Sequence, residues 1–188
     1  ELWSGADDPI DMVAGGSIEG GARLMGEHFV RQGYRHIAYA GQTHVPGGIG
    51  LAGFRKGIEA AGGTLGFVLP VEGTGTLSAG IVVLRQILRD YPQCDAIYFG
   101  SDLLAVGAQI AARERGVEMP GQLAMGGYGD LEFAQHLMPA LTTVHVSDYE
   151  TGRLAGVALR ARLEGQPLAG PIIQVPMHLV VRDSTPAK

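Results

Sequence analysis

Ser101 and Asp102 close the short apolar run Ala96-Ile97-Tyr98-Phe99 and open what reads as a helix. Either side chain can accept hydrogen bonds from the first free N–H groups of that helix, so a strand here delivers polar atoms to a helix N-terminus. In an open parallel sheet, that carboxyl-end position is where small ligands bind. Thr43 and His44 follow an earlier apolar run in a loop of the same kind, and Trp3 could stack on a ring or carbon chain. Each has a plainer alternative: packing for Trp3, a solvent-facing loop position for His44, a helix cap for Asp102.

Nucleophilic and metal chemistry have less to stand on. The six His residues, at positions 28, 36, 44, 136, 145 and 178, show no H-x3-H spacing, and no Ser sits in a G-x-S-x-G turn. Asp7-Asp8 and Asp130 with Glu132 read as turn carboxylates that face water or cap helices. The run Gly48-Ile49-Gly50-Leu51-Ala52-Gly53 fits the dinucleotide fingerprint, with Glu72 at the end of the next strand. Its spacing argues against a nucleotide, because residues 42–47 separate the strand end from Gly48 and the fingerprint needs its first glycine in the tight turn itself. No catalytic residue, cofactor or metal is expected.

Those candidates need a scaffold, and the hydrophobic pattern supplies one. Ser17 caps a predicted helix whose Ile18, Ala22, Met25 and Phe29 share a face and which Gly33 terminates. A buried strand over 37–40 follows, then a stripe at Leu51, Phe54, Ile58 and Ala61 closed by Gly62-Gly63. A strand over 67–71 precedes a third stripe at Leu77, Ile81, Leu84 and Leu88, after Thr76. The strand at 96–99 leads to a helix over 103–115, and 123–125 returns as a strand. This alternation predicts an α/β fold, a parallel sheet flanked by helices on both faces. Beyond it, 141–144 is extended, Ser147-Asp148-Tyr149-Glu150 has the form of a capping box opening a helix to about Glu164, and two short strands surround Pro176.

With 46% hydrophobic and 18% charged residues in 188, the chain has material for a packed core and too little charge for disorder. A net charge of −5 with 14 dispersed Lys and Arg does not provide the clustered cations that hold phosphate, so this polypeptide alone is not expected to bind DNA. No run reaches membrane-spanning length, and the segment from Glu1 lacks the basic and apolar regions of a leader, which points to the cytoplasm. The single cysteine, Cys94, cannot form an internal disulfide and precedes an apolar strand, where it fits as a small buried hydrophobe.

Phe-Gly-Ser-Asp-Leu-Leu-Ala-Val-Gly-Ala at 99–108, Gly-Gly-Tyr-Gly-Asp-Leu-Glu at 126–132, Pro-Ala-Leu-Thr-Thr-Val at 139–144, Tyr-Glu-Thr-Gly-Arg at 149–153 and the closing Arg-Asp-Ser-Thr at 182–185 together resemble the LacI/GalR repressor family. Within it, Gly127–Glu132 and the early Pro9-Ile10-Asp11 look most like the gluconate-operon repressors. The resemblance implies a periplasmic-binding-protein-like core of two subdomains, with one complete and part of the second present. Residues 1–16 would be a remnant of the first subdomain and its crossover, 17–146 the second, effector-binding subdomain, 147–175 a return to the first, and 176–188 the final strand and tail of the second. The helix-turn-helix DNA-binding head would lie outside this chain. Implied partners are a small effector, a sugar or sugar acid, a second copy through 103–115 and 131–139, and operator DNA only through that head. Against the family's sugar-binding pattern, Gly50 stands where an Arg is usual, Gly75 where an aromatic or polar contact is frequent, and Gly129 where an Asp is common. Ligand contacts are therefore expected from Trp3, Thr43, His44, Gly50, Ser101, Asp102 and Gly129. A transporter solute-binding protein of the same fold is the main alternative, and a nucleotide-dependent α/β enzyme the lesser one.

Overall fold

The computed structural model describes residues 11–43, 48–73, 75–167 and 170–188. Strand β1 (Val13–Gly15) passes through Ser17 into α1 (Ile18–Arg31), where the Ser17 hydroxyl accepts the Gly20 N–H at 3.0 Å. The chain then runs β2 (Ile37–Gly41), α2 (Gly48–Ala60), β3 (Leu65–Pro70), α3 (Leu77–Asp90), β4 (Ala96–Phe99), α4 (Asp102–Glu114) and β5 (Ala124–Gly129). A short 3-10 turn at Glu132–His136 precedes β6 (Thr142–Val146), α5 (Asp148–Leu163), β7 (Ile172–Gln174) and β8 (Met177–Val180).

Six strands form one sheet in the order β3-β2-β4-β5-β6-β8, parallel except for β8, which pairs antiparallel with β6. The strands are short and apolar on both faces because helices cover both. Ala38, Ile97, Phe99 and Met125 point toward α3 and α4, while Ile37, Tyr39, Ala96 and Tyr98 point toward α1 and α2. Alternation along each strand thus builds two cores from one sheet. Phe54 lies between Phe29 and Tyr98 in the second core, at ring centroid distances of 6.0 and 4.8 Å.

β1 and β7 make a separate two-stranded parallel sheet against which α5 packs, joined also by an Asp11–Arg162 ion pair. The chain passes between the two sheets three times: after Gly15, after Val146 and after Gln174. These passages lie together, since the Val175 N–H donates to Gly15 O at 3.0 Å and Val146 pairs with Met177.

Two details differ from the pattern reading. β5, expected to end at 125, runs on through Gly126-Gly127-Tyr128-Gly129, where glycine is required because a Cβ at Gly127 would lie 2.2 Å from Asp102 Oδ1 and one at Gly126 2.6 Å from Met25 Sδ. The capping box at Ser147 is half made: Ser147 accepts the Glu150 N–H at 3.2 Å, but the Glu150 carboxylate turns to Arg153 at 2.8 Å.

Candidate functional site

Four βα units bring their carboxyl ends together in a recess of about 210 Å³. Tyr39 and Tyr98 form one wall, at a ring centroid distance of 5.7 Å, and Tyr128 at the end of β5 forms another. Ile18 from the first turn of α1, Val71 past β3 and Leu104 from α4 add apolar surface. Gly41, Gly50, Gly73, Gly75 and Gly100 leave the rest as bare backbone.

Ser101 lies in this lining and is the cap of α4, its hydroxyl accepting the Leu104 N–H at 3.4 Å. Gly50 also lies in it, 3.3 Å from Tyr39 Oη if it carried a Cβ. The Gly48–Gly53 run has a packing explanation for its last glycine: a Cβ at Gly53 would sit 2.2 Å from Glu19 O and one at Gly57, a turn further on, 2.1 Å from Arg23 O, so the two let α2 cross α1 at backbone contact. α2 begins at Gly48, which places that glycine in the helix rather than in a tight strand-to-helix turn.

Asp102, expected to offer its carboxylate to a ligand or to the helix N-terminus, does neither. It is wholly buried, accepting the Thr143 hydroxyl at 2.6 Å and the Leu131 N–H at 2.8 Å. Burial raises its pKa, against the opposing pull of those two hydrogen bonds. Gly129, with φ 127°, packs toward Asp102 instead of lining the recess, and Thr43 is half-buried beside α2 without joining the lining. Trp3 and His44 lie outside the described residues.

The three tyrosines and Gln42 were not singled out by sequence. The available signal was alternation: Tyr39 and Tyr98 are each two residues past the start of their strands on the same face, and β2 and β4 pair them directly. Burial pushes the Tyr39 and Tyr128 phenols up to about 12, so both act as un-ionised hydroxyls. The Tyr39 hydroxyl donates to Gln42 O at 3.2 Å, and the Gln42 amide donates to Gly73 O at 2.7 Å. Tyr128 Oη is buried with no hydrogen-bond partner.

Beyond the recess, Asp130 adopts φ 54° and holds Arg182 at 2.7 Å and His145 Nδ1 at 2.9 Å. Among the described residues no group of three His, Cys, Asp or Glu is placed to hold a metal ion, and no helix is long and apolar enough to cross a membrane. Cys94 is mostly buried against Ala96 O, and burial pushes its thiol up to about 12.

Helices on both sides of a parallel sheet, a second small sheet reached by three passages, and a recess at the strand ends give this chain a periplasmic-binding-protein-like architecture. The periplasmic binding protein-like domain family matches residues 27–185. Among curated relatives, the HTH-type transcriptional regulator GntR of Escherichia coli is 29% identical over 174 residues, covering 88% of this chain and 50% of its own length. A LacI family transcriptional regulator from Silicibacter pomeroyi superposes with a TM-score of 0.83 at 27% identity, over 98% of this chain and 68% of that one. The regulator CelR in complex with cellobiose gives a TM-score of 0.81 at 26% identity, over 93% and 54%. The chain belongs to the periplasmic binding protein-like domain family, in the branch formed by LacI-type regulators. It spans about half the length of the curated relatives it matches.

Proposed function

We propose that this chain is the effector-binding and dimerisation core of a LacI-type transcriptional regulator, in which a small metabolite, a sugar or sugar acid, controls DNA binding by a separate helix-turn-helix head. The observation that carries this is the recess itself: Ser101, Gly50 and the three tyrosines meet at the carboxyl ends of β2, β4 and β5, beside the passages to the small sheet. Residues 1–16 and 147–175 belong to the first subdomain in this reading, and 17–146 with 176–188 to the second. A ligand touching both favours one relative orientation, and only its differential affinity for the two orientations drives the change. Cellobiose in the CelR complex supports a sugar-sized ligand.

The second copy docks on α4 and the 131–139 segment, where Leu103, Ile110, Leu131 and Met138 are exposed and where Ile110, Arg113, His136 and Met138 line a groove of about 180 Å³. Calorimetry and thermal-shift titration against sugars and sugar acids test the core reading. A saturable rise in melting temperature, lost when Gly50→Phe fills the recess, is the expected result. Micromolar binding of a nicotinamide dinucleotide, with no response to any sugar, would replace it with the enzyme alternative.

A further inference from the structure

β6 and β8 run antiparallel at the edge of the six-stranded sheet, and His145 stands directly opposite His178 in their register. Residues paired in this way share a face of the sheet. Here it is the face turned away from α1, since the adjacent Val144 and Leu179 pack into the core on that helix's side. The two imidazoles meet at a ring-centre separation of 5.0 Å with their planes inclined at 43°. Solvent reaches both: the His145 side chain is 36% exposed, and His178 is exposed.

That separation is a chelating one. With a metal ion about 2.0–2.1 Å from one nitrogen of each ring, two imidazoles on neighbouring tetrahedral positions hold their ring centres about 5 Å apart. The surroundings decide which nitrogen His145 offers. Its Nδ1 lies 2.9 Å from Asp130 Oδ2, and a carboxylate only accepts, so in the neutral ring Nδ1 carries the proton and Nε2 keeps its lone pair. The other Asp130 oxygen accepts from Arg182 at 2.7 Å, which fixes the carboxylate and balances its charge. A carboxylate behind the imidazole is the support that metal-binding histidines regularly have. Among the described residues His178 makes no side-chain hydrogen bond, so neither of its nitrogens is committed elsewhere.

We propose that His145 and His178 form a two-imidazole site for a divalent transition-metal ion of the zinc, nickel and copper class, with Asp130 as the positioning residue for His145. Water completes the coordination, which makes the site open and reversible. Two neutral nitrogens beside a balanced ion pair do not suit Mg2+ or Ca2+, which require oxygen ligands. An ion held there joins β6 to β8 one residue from Val146 and Met177, where the second passage leaves the large sheet and the third returns to it.

Calorimetric titration of the chain with Zn2+ and Ni2+, with Mg2+ as the control, tests the site. One Zn2+ or Ni2+ should bind per chain, with no response to Mg2+. His178→Ala removes an exposed side chain with no hydrogen bond to lose; it should weaken Zn2+ more than about ten-fold and leave the melting temperature of the metal-free chain in place. His145→Ala should weaken Zn2+ equally, while His36→Ala, at an exposed histidine elsewhere, should leave binding unchanged. Electron paramagnetic resonance of the Cu2+-loaded chain should show two imidazole nitrogens, reduced to one in His178→Ala. Asp130→Asn should lower Zn2+ affinity about ten-fold at unchanged stoichiometry, and imidazole nitrogen NMR of the metal-free variant should show the His145 tautomers mixed where the wild type holds one. Absence of Zn2+ and Ni2+ binding, binding that His178→Ala leaves intact, or a copper signal from fewer than two imidazoles in the wild type would overturn the site. Affinity and tautomer both untouched by Asp130→Asn would overturn the role given to Asp130.

Discussion

The Asp102 carboxylate accepts the Thr143 hydroxyl at 2.6 Å in a wholly buried position, and through its other oxygen it holds the Leu131 N–H. It thereby ties the first turn of α4, whose cap lines the recess, to β6 and to the loop leading into the exposed 131–139 segment. Asp102→Ala would strand both partners, each unpaired buried group costing about 1–3 kcal/mol. Urea unfolding of this variant should show a loss of about 2–4 kcal/mol. Asp102→Asn gives the titration control. Because burial raises the folded-state pKa of Asp102, the folded chain binds the proton more tightly than the unfolded one, and the carboxyl's contribution is greatest below its unfolded pKa. The stability of the wild type relative to Asp102→Asn should therefore fall as pH rises from about 3.8 through the raised value.

His28 gives the opposite sign. Its Nε2 lies 2.7 Å from Thr185 Oγ1, which in turn contacts Thr142 Oγ1 at 2.7 Å, and burial holds its pKa below 6.5. The folded state then binds fewer protons than the unfolded one, so stability is full above 6.5 and declines as pH falls through the lowered value. Scanning calorimetry should record a melting temperature lower by about 2–4 °C at the acid end of this window. His28→Gln should flatten that slope.

Glycines on different helices should respond in opposite directions to alanine. At Gly57 a Cβ would lie 2.1 Å from Arg23 O, a backbone atom, so Gly57→Ala must push α2 off α1 and should cost about 1–3 kcal/mol. Gly156, mid-way along α5, has nothing within 4 Å of its added Cβ. Gly156→Ala should stabilise by about 0.5–1 kcal/mol through helix propensity alone. Paired guanidinium melts compare the two.

Association should depend on the exposed apolar face of α4. Ile110 and Met138 are 41% and 76% exposed, and the Arg113 guanidinium is drawn to Met138 O. Ile110→Lys with Met138→Lys would place like charges in the centre of a two-fold contact. Sedimentation equilibrium should shift to monomer, while the melting temperature at dilute concentration stays within a degree or two. A wild type that stays monomeric at high concentration would remove the premise.

Local signals fixed most of the fold before the structure did. Ser17, Thr76, Ser101 and Ser147 each cap the helix that their spacing announces. What stayed hidden depends on contacts between distant segments. The hydrophobic pattern ends the strand at 125 because the Met25 and Asp102 side chains that require glycine at Gly126 and Gly127 come from other elements. Asp102 reads as a cap because nothing in its neighbours says that Thr143 will lie opposite. Tyr128 reads as one member of a motif, and its lack of a partner exists only once α1 and β6 close around it.

A Cβ at Gly16 would sit 2.9 Å from both γ-methyl carbons of Val146, at the point where the first and second passages between the sheets touch. Three adjoining linkers resist shear and torsion as a bundle, much as a three-ply strap does, and leave bending as the soft mode. Any bulk added at Gly16 would wedge that strap, so a single methyl two residues before the Ile18 wall of the recess would set how freely the two sheets bend against each other.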